Sequence, residues 1–163
     1  MERIHVKVPG EQPQDREYMK QALALAEKGH GWVNPNPMVG AVLVKDGRII
    51  GEGYHTRYGQ LHAEREAFKN AAERGEETAG ADLYVTLEPC PMCAGAIVQA
   101  RIPKVVIGSM NPKAGCAGSV LNLLDMPGFN HRVEVERGIL EEPCSRLMSG
   151  FFKELRLKRK KST

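Results

Sequence analysis

The sequence predicts a three-layer α/β/α sandwich around a mixed five-stranded sheet, and three observations lead there. Stretches with apolar residues three and four apart alternate with short β-branched runs, the pattern of amphipathic helices and buried strands taken in turn. Two of those runs are joined by Asp46-Gly47, a two-residue hairpin signal that demands at least one antiparallel pair. With 163 residues, 42% hydrophobic and 26% charged, the chain closes one core without staples.

In order along the chain, residues 1–14, with Pro9, Gly10 and Pro13, read as a flexible leader to a single domain over 15–157. Asp15 is placed to cap a helix whose apolar side is Tyr18, Met19, Ala22, Leu23 and Ala26, with Gly29 as its stop. Two prolines force 30–38 into a loop. The hairpin follows, with Val39–Val44 as one arm and Arg48–Tyr54 as the other. A helix from His62 to Arg74 turns Ala63, Ala67, Phe68 and Ala71 inward. Ala81–Leu87 is a buried strand that runs into Pro89-Cys90-Pro91, and Pro91 suits the first turn of a helix reaching Ala100. Lys104–Gly108 is another strand, Val120–Leu124 a short helix, and Arg132–Glu136 the fifth strand. The last helix spans Glu142–Leu157 and passes into a basic tail at 158–163.

Composition narrows the function classes. No apolar run approaches the roughly 20 residues that span a bilayer, and the polar start lacks the basic and apolar regions of a secretory signal. A cytoplasmic protein with no membrane partner is the expectation. Four cysteines, two in a C-x-x-C, then point to metal or redox chemistry rather than a disulfide frame. The net charge of +3 is uneven: six basic residues face one acid, Glu154, between Phe151 and Thr163, which leaves the first 150 residues two units negative. A basic edge on a mildly acidic body fits a polyanionic partner, or simply a solubilised end.

The chemistry lies in His62-Ala63-Glu64 and Pro89-Cys90-Pro91-Met92-Cys93. Cysteines three apart on a first helical turn present both sulfurs to one side, and the helix N-terminus favours thiolates. One histidine and two thiolates leave a fourth tetrahedral position open, the arrangement of a catalytic zinc. His62, Cys90 and Cys93 are therefore the expected ligands of one Zn²⁺ per subunit. Glu64, two residues on, is the expected proton carrier. Other uses of these residues stand beside this one: Cys90 and Cys93 as a redox pair, or a structural zinc completed by Cys116 or Cys144. Those last two more simply sit in a Gly-rich loop and on the packed face of the last helix. His5, His30 and His131 read as surface or capping residues, and the methionines as core filler.

The pairing of H-x-E with P-C-x-x-C resembles the signature of zinc nucleobase deaminases. That resemblance implies a cytidine deaminase-like fold and hydrolytic deamination, with Glu64 as the catalytic residue. From Leu83 to about Lys158, through LYVTLEPCPMCAGAIVQARIPKVVIGS, KAGCAGSVLNLL, PGFNHRVEVERGILEEPC and FFKELR, the chain resembles bacterial tRNA-specific adenosine deaminases. By that resemblance the partner is a tRNA anticodon loop, Phe151, Phe152, Lys153 and Arg156 contact RNA, and the protein is a homodimer. The GAIVQARIP helix is a candidate dimer contact, and its apolar face is equally suited to the core.

The first half, NPNPMVGAVLVKDGRIIGEGYHTRYGQLHAEREAF, is similar to the deaminase domain of bifunctional riboflavin-biosynthesis enzymes, which act on a phosphoribosylated diaminopyrimidine. Asn36 matches that family's base-contacting asparagine. His55 stands where the adenosine deaminases carry an asparagine. With Ala63 these are the expected substrate-binding residues. The longer insert that separates the zinc cysteines in the riboflavin family is absent, and no reductase domain follows within these residues. The alternative substrate is thus a free pyrimidine or purine base, a nucleoside or the riboflavin precursor.

Overall fold

The computed structural model describes residues 12–161, so the expected leader is described only from Gln12 onward, and His5 lies outside the described residues. Ten elements follow in order. They are α1 (Asp15–Glu27), β1 (Gly40–Lys45), β2 (Arg48–Tyr54), α2 (Ala63–Glu73), β3 (Asp82–Leu87), α3 (Pro91–Gln99), β4 (Lys104–Ser109), a single 3-10 turn (Leu123–Asp125), β5 (Glu134–Arg137) and α4 (Glu141–Lys161). The sheet order is β2-β1-β3-β4-β5, antiparallel across β2-β1-β3 and parallel across β3-β4-β5. This is the mixed five-stranded sheet expected.

Period-2 alternation sorts each strand between two cores. Ala41, Leu43, Leu83, Val85, Val105 and Ile107 face Ala63, Ala67 and Ala71 of α2 and Ala94 and Ile97 of α3. Their neighbours Val42, Val44, Tyr84 and Val106 face Met19 and Ala22 of α1 and Cys144 of α4. Helices cover both faces because the central strands are apolar on both sides. At the hairpin, Asp46 and Gly47 both take left-handed backbone (φ 52° and 72°), as a two-residue turn requires.

Four local expectations need correction. Val120–Leu124 is not a helix: Ala117 and Asn122 bridge as a small antiparallel pair, and only Leu123–Asp125 turns. Cys116 donates its amide to the Pro89 carbonyl and accepts from Leu123, so this segment is tied down as a loop. The last helix runs on to Lys161, which makes 158–161 its final turns instead of a separate tail. Asp15 is the first helical residue, not the cap. Its buried carboxylate accepts the Gln12 amide at 2.8 Å and the Tyr84 hydroxyl, tying α1 to β3. Met92 is exposed and fills no core.

Candidate metal and active site

One end of the sheet gathers every loop of the site. The carboxyl ends of β2, β3 and β4 and, because β1 runs antiparallel, the amino end of β1 all meet there. From that end α2 and α3 begin. His62 is the residue before the first turn of α2 and Cys90 the residue before α3, both in extended backbone, with Pro91 opening the helix as expected. The two helix N-termini thus aim their free amides and positive ends at one point.

At that point the structure brings together His62, Cys90 and Cys93, whose ligand atoms lie within 4.8 Å of one another. His62 Nδ1 stands 3.5 Å from each sulfur. Tetrahedral zinc with ordinary Zn–N and Zn–S bonds requires about 3.6 Å between those atoms. The donor set therefore fits zinc in chemistry and in spacing. Cys116 and Cys144 are buried elsewhere and do not join it.

The thiols are coupled. The hydrogen bond from the Cys93 thiol pushes Cys90 down to about 4 in spite of burial, with His62 and the Cys93 amide adding to the effect. Cys93, donor in that bond and buried, is pushed up. The hydrogen bond with Cys90 draws His62 toward its protonated form against the opposing effect of burial. The Cys90 thiolate is thus favoured, and a bound cation would displace the remaining protons. Glu64, on the first turn of α2, is almost fully buried, and burial pushes its carboxyl up to about 7. A carboxyl poised near neutrality can both take and give a proton.

A cavity of about 160 Å³ opens on this cluster, lined by His62, Glu64, Cys90, Asn36, His55 and Ala63 among others. All three expected substrate-binding residues are there. His55 is buried, its Nδ1 3.0 Å from the Leu61 carbonyl and its Nε2 3.2 Å from Asn36 Nδ2. A carbonyl only accepts, so Nδ1 carries the proton and Nε2 accepts from Asn36. That fixes which way the Asn36 amide faces.

The last helix divides the four expected RNA contacts. Phe151 is buried against Ala26, Val33 and Met38 and is not available to RNA, a correction. Phe152, Lys153 and Arg156 are exposed. His30 Nε2 meets Glu154 Oε2 at 3.1 Å, so α4 rests on the loop that carries Asn36. His131 contacts the Ile102 carbonyl at 2.8 Å.

The sequence pattern missed Glu88, Asn111 and Ala114, which also line the cavity. Glu88 Oε1 accepts the Asn111 amide at 2.9 Å, and its Oε2 accepts those of Ala117 and Ser119 at 3.0 Å each; the Ser119 hydroxyl donates as well. Burial pushes its carboxyl up, but these donors outweigh it and hold the group below the usual carboxylate range. The available signal was an acid at the end of an apolar strand, beside Pro89, with a Gly-rich loop later in the chain to supply amides.

The family described as cytidine and deoxycytidylate deaminase, zinc-binding region, matches residues 12–109. The chain is 45% identical to a tRNA-specific adenosine deaminase of Bacillus subtilis, over 90% of its own length and 94% of the relative's.

The chain belongs to this deaminase family.

Among solved structures, a tRNA:A34 deaminase superposes with a TM-score of 0.72 at 38% identity, covering 80% of this chain and 98% of that one. A diaminohydroxyphosphoribosylaminopyrimidine deaminase/5-amino-6-(5-phosphoribosylamino)uracil reductase of Thermotoga maritima superposes with a TM-score of 0.74 at 43% identity, covering 89% of this chain. This deaminase spans only 42% of that longer protein. The sandwich, the His/Cys/Cys cluster and the family agree on a zinc-type deaminase, an enzyme.

Proposed function

We propose that this deaminase converts adenosine to inosine at the wobble position of a tRNA anticodon, as a cytoplasmic homodimer with one Zn²⁺ per subunit. The observation that carries the RNA reading is the seat of α4. Its exposed Phe152, Lys153 and Arg156 lie on a helix held by His30–Glu154 to the loop that delivers Asn36 to the cavity. A basic, aromatic surface is thereby tied to the catalytic pocket, as recognition of an unpaired loop nucleotide requires.

His62, Cys90 and Cys93 would hold the zinc, which would supply Lewis-acid activation of water. Glu64 would take a proton from the attacking water, deliver one to the ring nitrogen and protonate the departing amine. The sum is adenosine plus water giving inosine plus ammonia. Asn36, its amide held by His55, keeps one N–H and its oxygen for the base edge, and the Ala63 backbone frames the other side. The 160 Å³ cavity is smaller than the roughly 300–1,000 Å³ of drug-sized sites, which suits a single extruded base.

A second reading, a small-molecule deaminase acting on a base, a nucleoside or the riboflavin precursor, is favoured by the likeness to the Thermotoga enzyme and by the Asn36–His55 pair. The test offers the zinc-loaded protein an anticodon stem-loop with adenosine at the wobble position, beside free bases, nucleosides and the phosphoribosylated diaminopyrimidine. Inosine in the stem-loop alone supports the first reading. Conversion of the pyrimidine with the RNA left intact establishes the second.

A further inference from the structure

Beside the catalytic cavity lies an open cleft of about 400 Å³ lined by Lys28, Trp32, Tyr54, Thr56, Arg57 and Gln60. Its walls combine aromatic rings with cations and include no acid. The Arg57 guanidinium lies over the Trp32 ring at 5.8 Å and the Lys28 ammonium over the Tyr54 ring at 6.0 Å. Trp32 is 66% exposed and Tyr58, whose amide donates to the Trp32 carbonyl at 3.1 Å, is 64% exposed. Aromatic rings each with a cation beside them can form a stacking platform for nucleobases joined by phosphates.

The cleft is continuous with the active site through two chain segments. At the end of β2, His55 turns into the catalytic cavity while Tyr54, Thr56 and Arg57 line the cleft. In the 30–38 loop, Asn36 reaches the cavity and Trp32 the cleft. His55 and Arg57 are two residues apart, at most about 7 Å along the backbone. The same two segments therefore line both the cavity and the cleft, within reach of neighbouring nucleotides of one strand.

We propose that this cleft binds the nucleotide adjacent to the target base of a single-stranded RNA loop, its base stacking on Trp32 and its phosphate facing Lys28 and Arg57. The proposal rests on the RNA reading given above and assigns it a second contact surface, separate from α4.

Trp32 is the single tryptophan of the chain, so its fluorescence reports on the cleft alone. The experiment titrates the zinc-loaded full chain with the anticodon stem-loop, following tryptophan emission and, in parallel, the anisotropy of labelled RNA. Saturable quenching at the RNA concentration that raises anisotropy is expected. Arg57→Ala should weaken binding about fivefold or more, and Trp32→Ala should raise KM for the stem-loop by a similar factor with kcat and zinc content retained. RNA that is bound and deaminated with emission and KM unmoved overturns the cleft alone. Quenching by adenosine monophosphate as tight as by RNA reassigns the cleft to a small phosphorylated substrate and overturns the proposal. If RNA is neither bound nor deaminated, both the cleft and the RNA reading fall.

Discussion

Glu64 shows how much one buried position decides. It sits in the first turn of α2, two residues from a metal ligand, with burial holding its carboxyl near neutrality. An isosteric metal site without this group should still load zinc, since His62, Cys90 and Cys93 are untouched. Glu64→Ala is therefore expected to keep full zinc content by metal analysis while kcat falls roughly 10²–10⁴-fold. Retained turnover would remove Glu64 from the chemistry. The adjacent phenylalanines of α4 make a second residue-scale contrast. Phe151→Ala should cost about 3 kcal/mol in urea unfolding because its ring fills the space between Ala26, Val33 and Met38. Phe152→Ala should leave stability within about 0.5 kcal/mol of the parent, as surface changes do, and weaken RNA binding instead.

At the scale of elements, the seat of α2 on β2 places the site. Gly53 lies against the helix backbone, where an added Cβ would strike the Ala63 carbonyl and the Ala67 amide. Glycine at this position is what lets α2 approach and carry His62 and Glu64 over the sheet end. Gly53→Ala should destabilise the fold by about 1–3 kcal/mol and, by displacing the start of α2, lower zinc affinity as well. Zinc affinity unchanged in a folded Gly53→Ala protein would show that α2 is held by other contacts. Under the RNA reading, removal of Lys158–Thr163 should reduce RNA affinity and flatten its salt dependence, by about one unit of slope per lost phosphate contact.

Across the whole molecule, Lys104 offsets acids drawn from three elements. It pairs with Glu136 at 2.9 Å, and Asp15 and Asp82 act on it from α1 and β3. Burial opposes the charge on both partners but with different outcomes. Lys104 stays raised because the ion pair outweighs burial, whereas Glu136 and Asp82 are also raised because burial outweighs Lys104. Glu136 Oε2 is buried with no partner among the described residues. A carboxyl whose folded value lies above its unfolded one binds protons on folding, so its own contribution to stability grows as pH falls. Removing Lys104 raises both acids further. Lys104→Met is thus expected to cost about 2–3 kcal/mol at pH 7, with the loss shrinking in acid as Asp82 and Glu136, both raised by burial, take up protons. Urea unfolding at pH 7 and in acid checks it, and a loss that grows on acidification would contradict the assignment.

The sequence by itself determined most of the elements and the candidate metal-binding set. Short-range sterics decide periodicity, turns and helix starts, so the Asp46-Gly47 hairpin, Pro91 at a first turn and the His62, Cys90, Cys93 and Glu64 set were legible from spacing alone. What only the tertiary structure decided were questions of which partner sits opposite. Phe151 and Phe152 are equivalent on an isolated helix, and only the 30–38 loop and α1 select the one that is buried. Glu88 owes its low carboxyl to amides 23 to 31 residues away. The Trp32–Arg57 platform and the acids around Lys104 likewise join segments far apart in the chain. Burial, charge pairing and cleft shape depend on those long-range contacts, which local residue patterns do not encode.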